Sequence, residues 1–387
     1  MSNFSTDDCM HCGLCIDVCP TYRATGIESD SPRGRLWLMR AVEEQRLDLN
    51  DIQPALERCV QCHACESSCP SNVDYSGLLQ QHLKPRSSLI GWVTSKKHLS
   101  NFCGLGLRVL SRLKLFACVR KLPSSKFARA LMLIPERPRG FNAKQTVYAA
   151  QGELRAKVAL QLGCVERQIH ADVIDDFIAV FNQQGFEVHI PSQQNCCGAI
   201  HYHSGEVDRG IELARASAKQ LSSFGYVISL SAGCSSHLQQ QSGADFYHDP
   251  LTFLATQGLR GALRDVPQTA CWVMPCHLKH LQHDSQLVNK MLSDIPQLQL
   301  LDFADSDLCC GAGGAAMVGQ PQLSAAMGAA KSKCLSAADP QLILSSNAGC
   351  RIQIDAHLRL SGEQQRTQHP LKILRLALGI DEHPHGG

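Results

Sequence analysis

Two copies of one cysteine spacing constrain this 387-residue chain more tightly than any other feature: Cys9-x2-Cys12-x2-Cys15-x3-Cys19-Pro20 and Cys59-x2-Cys62-x2-Cys65-x3-Cys69-Pro70. Three thiolates set three residues apart can wrap one cubane of iron and sulfide. In two-cluster ferredoxins the fourth, ahead of a proline that turns the chain away, ligates the other cluster. The spacing therefore assigns Cys9, Cys12, Cys15 and Cys69 to one 4Fe-4S cluster and Cys59, Cys62, Cys65 and Cys19 to a second, which makes the chain an electron carrier. Zinc sites space their Cys-x2-Cys pairs with a longer loop, whereas here four cysteines fall within eleven residues, twice. Disulfides fit less well still. The segment from Met1 to Asp8 is short and acidic, with no apolar signal core, so a reducing, cytoplasmic compartment is expected.

A chain of this length is expected to divide into two or three domains. Hydrophobic residues make up 44% and charged ones 19%, a globular balance, and no apolar run approaches the roughly eighteen residues a membrane-spanning helix needs. The net charge of +2 hides an uneven distribution: Lys84 to Gly140 holds thirteen Lys or Arg and one acid, Glu136. Within it Leu105, Val109, Leu110, Leu113, Phe116 and Val119 recur at helical spacing among Arg108, Arg112, Lys114, Arg120 and Lys121. Such a helix can lie on an anionic membrane surface, dock on an acidic partner, or serve as a connector packed on its own domains. Nucleic acid is not expected, because aromatics are 5% and no recognition motif accompanies the charge.

The segment between the two cysteine motifs has Pro32-Arg33-Gly34-Arg35, then Leu36, Leu38, Met39 and Val42, a helical pattern. That predicts an all-helical module rather than a small β-rich ferredoxin. Beyond about Gly140 the pattern becomes α/β and repeats. Predicted strands Val158–Leu162, Phe186–Ile190 and Tyr226–Leu230 lead to or flank Cys164, Cys196-Cys197-Gly198 and Cys234. Trp272–Met274, Leu298–Leu301 and Leu342–Leu344 do the same for Cys276, Cys309-Cys310-Gly311 and Cys350. An offset of about 112 residues with three matching cysteine landmarks indicates internal duplication. The predicted architecture is α plus α/β: a helical two-cluster ferredoxin module over 1–84, a basic helical connector over 85–150, and two duplicated α/β cysteine-rich (CCG) domains over 151–265 and 266–387.

Each repeat cysteine lies beyond the carboxyl end of a predicted strand, where parallel sheets gather ligands. The Cys-Cys pairs also precede predicted helices, whose free N–H groups favour thiolate. Three readings stand for Cys164, Cys196, Cys197, Cys234, Cys276, Cys309, Cys310 and Cys350: a further cluster, a redox-active thiol site, or small buried hydrophobes. Nearby His201, His203, His237, His277, His280 and His283 are candidate ligands or proton carriers, or merely hydrogen-bonded residues. Cys103, Cys118, Cys271 and Cys334 match no spacing and are expected to be ordinary buried thiols.

With Cys19-Pro-Thr-Tyr22, Ser31-Pro-Arg-Gly-Arg35, Cys69-Pro70, Cys196-Cys-Gly-Ala199, Pro275-Cys-His277, Cys309-Cys-Gly311 and Asn347-Ala-Gly-Cys350 in this order, the chain resembles the iron-sulfur subunits of glycolate oxidase over nearly its whole length. The resemblance implies an electron-transfer subunit with no flavin of its own, beside an FAD subunit that oxidises glycolate to glyoxylate and a second flavin-type subunit. Electrons would leave toward the respiratory chain, with peripheral contact at the cytoplasmic face of the inner membrane or the quinone pool. A lactate dehydrogenase complex, or a heterodisulfide or thiol reductase acting at the CCG cysteines, is the alternative. In the heterodisulfide reductase relatives each repeat ends in Cys-x2-Cys; here the second position is His237 in one copy and Gln353 in the other.

Overall fold

The computed structural model describes residues 5–381 except 87, 113–132, 136–137, 283–284 and 315. Its first part is helical: α1 (Leu14–Asp17), α2 (Pro20–Thr25), α3 (Pro32–Glu43), α4 (Leu49–Glu57), α5 (Ala64–Ser67) and α6 (Tyr75–His82). The prolines after Cys19 and before Arg33 are each the first residue of a helix, where a missing N–H costs nothing. Ser31 caps α3 by accepting from the Gly34 amide at 2.9 Å. Leu36, Met39, Ile52, Leu56, Leu78 and Leu79 form the module's core.

Two connector helices follow, α7 (Leu89–Ser95) and α8 (Lys97–Arg112). The expected amphipathic stretch lies only partly on α8, since Leu113, Lys114, Phe116, Val119, Arg120 and Lys121 fall outside the described residues. Where it is described, the polar side makes the contact: Arg108 Nη1 donates to the Gln168 carbonyl at 3.1 Å, while Phe102, Leu105 and Val109 are exposed.

The first repeat holds β1 (Val147–Tyr148), β2 (Ala156–Gln161), α9 (Cys164–Ile169), α10 (Ala171–Gln183), β3 (Phe186–His189), α11 (Ala199–His203), α12 (Val207–Leu221), β4 (Val227–Ser229), α13 (Ala232–Ser242), β5 (Tyr247–His248) and α14 (Pro250–Gln257). The second holds β6 (Gln268–Trp272), α15 (Cys276–Leu281), α16 (Ser285–Ser293), β7 (Leu298–Leu300), α17 (Ala316–Gly319), α18 (Pro321–Ala338), β8 (Leu342–Leu344), α19 (Ala348–Leu360), β9 (Thr367–Gln368) and α20 (Pro370–Ala377). Strand order is β1-β3-β2-β4-β5 in one sheet and β7-β6-β8-β9 in the other, parallel throughout except for the antiparallel edge strand β1. Apart from that edge the topologies coincide, as the duplication requires. One expected strand is displaced: β6 ends at Trp272 rather than beginning there, because Val273 and Met274 already belong to the turn that delivers Cys276.

The repeats exchange their last helices. α20, at the end of the second, packs on α10 of the first, and α14, at the end of the first, packs on α16 of the second. Phe177, Phe181 and Phe253 from one repeat and Val288, Leu292 and Leu374 from the other share one hydrophobic cluster. Each fully buried side chain of this size is worth about 1.5–3 kcal/mol, so the common core ties the two sheets into one body.

Candidate functional site

Within the helical module two cavities lie where the cysteine spacing anticipates them. Cys19, Cys59, Cys62 and Cys65 line one, of about 400 Å³ of space between atoms. Cys9, Cys12, Cys15 and Cys69 line the other, of about 450 Å³, with Cys65 also on its wall. In both, three cysteines come from one loop and short helix, and the fourth arrives from the other motif just ahead of α2 or Pro70.

The electrostatics suit a guest that brings positive charge to the thiol sulfurs. Burial pushes the Cys15 thiol up to about 11 and raises Cys59, Cys62 and Cys65, so these groups give up their protons readily only to a bound cation. Arg35, 1% exposed, lines the cavity of Cys19 and Cys59. Its Nε donates to the Ala55 carbonyl at 2.7 Å and its Nη2 to Thr21 Oγ1 at 3.1 Å. Gly34 explains how the motif holds it: a Cβ there would come within 2.0 Å of the Glu28 carbonyl oxygen, so only glycine lets α3 start this close. The sequence pattern contains Arg35 but does not signal that its charge is buried.

The eight repeat cysteines also assemble, four per copy. Cys197 Sγ lies 3.0 Å from Cys234 Sγ, and Cys310 Sγ 3.0 Å from Cys350 Sγ. Cys164 and Cys276, at the starts of α9 and α15, contact Cys196 and Cys309 respectively. One thiol per set is driven toward thiolate. Cys196 is lowered by accepting from Cys164 and Cys197, and Cys309 by accepting from Cys276 and Cys310. Backbone N–H groups of Gly198 and Gly311 add to this, the latter at 3.4 Å from Cys309 Sγ. Their partners Cys197 and Cys310 are raised by donating those bonds.

The positions that break the Cys-x2-Cys ending have a defined role. His237 Nε2 donates to the Gly210 carbonyl at 3.3 Å, and Gln353 Nε2 to the Ser324 carbonyl at 2.7 Å. A Cβ on Gly198 or Gly311 would meet those same two carbonyl oxygens, at 2.4 and 2.8 Å. Both copies thus use this position to tether the helix that packs beneath the Cys-Cys-Gly turn.

The second set adjoins the ferredoxin module. Val60, Cys62 and Ala64 pack with Cys276, Cys309, Leu323 and Met327 in one apolar group. Gly313 approaches Val60 so closely that a Cβ would lie 2.8 Å from Val60 Cβ. A buried lysine in this repeat, Lys331, is 3% exposed and donates to the Asp305 and Ser306 carbonyls, each at 2.8 Å, near Cys309, Cys310 and Cys350. Histidines gather at the same junction: the His277 ring lies 5.6 Å from His63 and 5.7 Å from His203. Burial holds His277 down at about 3, His237 at about 4, and His203 well below its ordinary value, so all three are neutral at pH 7. His201 instead pairs with Glu206 at 2.5 Å and His280 contacts Ser67 Oγ at 2.9 Å, while His283 lies outside the described residues. Of the thiols without a motif, Cys271 is buried as expected. Cys103 and Cys334 are only partly so, because they sit on helix faces at the edge of the packing, and Cys118 is outside the described residues.

Comparison with known proteins agrees with this division. Residues 5–73 match the 4Fe-4S dicluster domain family, and residues 158–239 and 270–355 each match the cysteine-rich (CCG) domain family. The chain is 26% identical to the probable glycolate oxidase iron-sulfur subunit of Bacillus subtilis, over 96% of this chain and 94% of that one. It is 28% identical to the glycolate oxidase iron-sulfur subunit of Escherichia coli, over 96% and 93%. Lactate utilization protein A of Oceanobacillus iheyensis is 25% identical but aligns with 60% of this chain, against 99% of its own length.

Proposed function

We propose that this chain, a homologue of the glycolate oxidase iron-sulfur subunits, is itself the electron-transfer subunit of a flavin-dependent 2-hydroxy-acid dehydrogenase, with glycolate the first candidate substrate. The observation that carries the reading is the pair of four-cysteine cavities beside a third four-cysteine set in the second repeat. Cys9, Cys12, Cys15 and Cys69 would hold one 4Fe-4S cluster and Cys59, Cys62, Cys65 and Cys19 the other; bound there, such clusters supply one-electron transfer. The four cysteines of each repeat are a further cluster or thiol site. Arg35 offsets thiolate charge in the second cavity, and the apolar walls built from Leu36, Val73 and Leu79 limit water. Substrate oxidation belongs to a separate FAD-binding subunit, with a second flavin-type subunit beside it, because the chain carries no Gly-x-Gly-x-x-Gly fingerprint following a strand. Among the described residues no helix is long and apolar enough to cross a membrane.

The test is anaerobic co-purification of the complex. The chain should bind about eight irons or more, and glycolate should produce EPR signals of reduced 4Fe-4S clusters. Cys62→Ser should remove about four irons and block reduction beyond the first cavity. An EPR-silent protein after glycolate and after D-lactate would overturn the assignment. Reduction by D-lactate alone would move it to the lactate complex that the alignment with lactate utilization protein A suggests.

A further inference from the structure

The two repeats place four cysteines on corresponding turns, but the charges beside the two sets differ. In the second repeat a lysine, Lys331, stands in the middle of α18 and is 3% exposed. It lies on one face of that helix between Met327 and Leu335, one turn from each. Met327 packs with Cys276 and Cys309, and Leu335 with Cys310 and Cys350, so this face of α18 is the one that meets the four cysteines. The Lys331 ammonium also lies 4.9 Å from the centre of the Phe303 ring, which packs against Cys310 and Cys350. Its hydrogen bonds go to the Asp305 and Ser306 carbonyls and not to a carboxylate. The acids of that loop are committed elsewhere: Asp305 pairs with Arg23 of α2 at 2.9 Å, and Asp307 pairs with Lys279 of α15. Among the described residues, Lys331 is thus a buried cation without a carboxylate partner, an expensive arrangement unless another anion meets it. Burial pushes the ammonium down, and the groups that hold it up are Cys310, Cys309, Cys350 and Cys334.

The first repeat is built without this charge. Ser217 on α12 occupies the corresponding place, at the same offset that relates Gly210 to Ser324, whose carbonyls meet the two Cys-Cys-Gly turns. Its hydroxyl bonds to Gln161 and Tyr247, a neutral network. Two residues after Cys164 stands a buried acid, Glu166, where the second repeat has Leu278 after Cys276. Arg351 also approaches Glu166, but it is paired with Asp172 at 3.7 Å.

We propose that Lys331 is the counter-charge of an anionic iron-sulfur group held by Cys276, Cys309, Cys310 and Cys350, and that it raises the potential of that group, an aid the first repeat's set lacks. The proposal rests on the electron-transfer reading above. Each added electron makes an iron-thiolate group more negative, so a fixed cation packed against its ligands favours the reduced form. The set with the cation also adjoins the ferredoxin module, since Cys62 and Cys309 share one apolar group. One electron passes from the site of Cys62, which is oxidised by one, to the site of Cys309, which is reduced by one, and no proton or bond moves. Lys331 makes this transfer more favourable and takes no part in it.

Three variants separate charge from packing. Lys331→Met removes the charge and both hydrogen bonds, Lys331→Gln keeps a donor for the two carbonyls without the charge, and Lys331→Arg keeps the charge. Asp305 and Ser306 are exposed, so water can take over the lost bonds. The measurement is a dithionite titration of the full iron-loaded chain followed by EPR. The signal to follow is the one that Cys310→Ser abolishes and Cys197→Ser leaves. In Lys331→Met and Lys331→Gln its reduced form should be disfavoured about tenfold, a shift of about 59 mV to more negative potential for one electron. Lys331→Arg should stay closer to the wild type, and the iron content and ferredoxin signals should not change. No signal that answers to Cys310→Ser, a wild-type potential in Lys331→Gln, or a shift in Lys331→Arg as large as in Lys331→Gln would overturn the proposal. Dithionite needs no flavin subunit. Failure of the hydroxy acid to reduce the iron would therefore strike the functional reading, and the titration would still decide the role of Lys331.

Discussion

Single residues decide how these cavities treat charge. Arg35 sits 3.9 Å from Asp30, which is fully buried and also accepts from Arg58 Nε at 2.5 Å. Arg35→Gln removes one member of that network and leaves buried negative charge short of a partner. We expect about 3 kcal/mol loss of stability, read from the denaturant midpoint of the iron-loaded protein. The reduction potential of a cluster bound by Cys19, Cys59, Cys62 and Cys65, as proposed above, should also move to more negative values. Arg35→Lys keeps the charge and should recover part of the potential but not the stability, because an ammonium lacks the planar fork that reaches the Ala55 carbonyl and Thr21 together. A wild-type potential in Arg35→Gln would show that the guanidinium is only structural. The cysteines that line the two cavities were legible in the sequence because three-residue spacing is a local property. Arg35 and Lys331 were not, since burial of a charge depends on what packs over it.

At the level of elements, helix starts carry most of the local logic. Asp249 caps α14 by accepting from the Leu251 amide at 2.9 Å, and it is fully buried, so desolvation pushes its carboxyl up to about 7. The folded value lies above the unfolded one of 3.8, so the unfolded state ionises first. This contribution is present in full below about pH 4 and lost as pH rises toward and through 7. Asp249→Asn keeps an acceptor for the cap and removes the ionisation, so the fall in stability between pH 4 and 7 should flatten, checked by urea midpoints across that range. An unchanged slope would exclude Asp249 as its source. Five of the six expected repeat strands were found within two residues of their limits, because apolar runs of this length mark buried parallel strands. The two-residue strands β1, β5 and β9 were missed, being too short to show any period.

At the scale of the whole molecule, the reciprocal exchange of α14 and α20 makes the repeats interdependent. Arg375 on α20 pairs with Asp176 on α10 at 2.9 Å, both about 8% exposed, and Leu371 and Leu374 join the shared core. Ending the chain after His369 should therefore unfold the first repeat, two hundred residues away, and not merely trim the second. Limited proteolysis should show cleavage within Ala171–Gln183 in the truncated chain, and protection there would contradict the shared core. By itself the sequence determined that the chain carries two four-cysteine motifs of ferredoxin spacing and a duplicated α/β unit. Both follow from short-range regularity, the reach of one loop around a cluster and the alternation of strand with helix. Tertiary structure alone decided that Cys62 meets the second repeat's cysteines, that one repeat's set lies beside connector helices while the other has a buried lysine near it, and that each repeat completes the other's core. Those contacts join residues distant in the chain, 60 positions apart for Arg108 and Gln168 and 199 for Arg375 and Asp176, and no local pattern records them. They are set by close packing of the finished core and by the cost of leaving charge unpaired inside it.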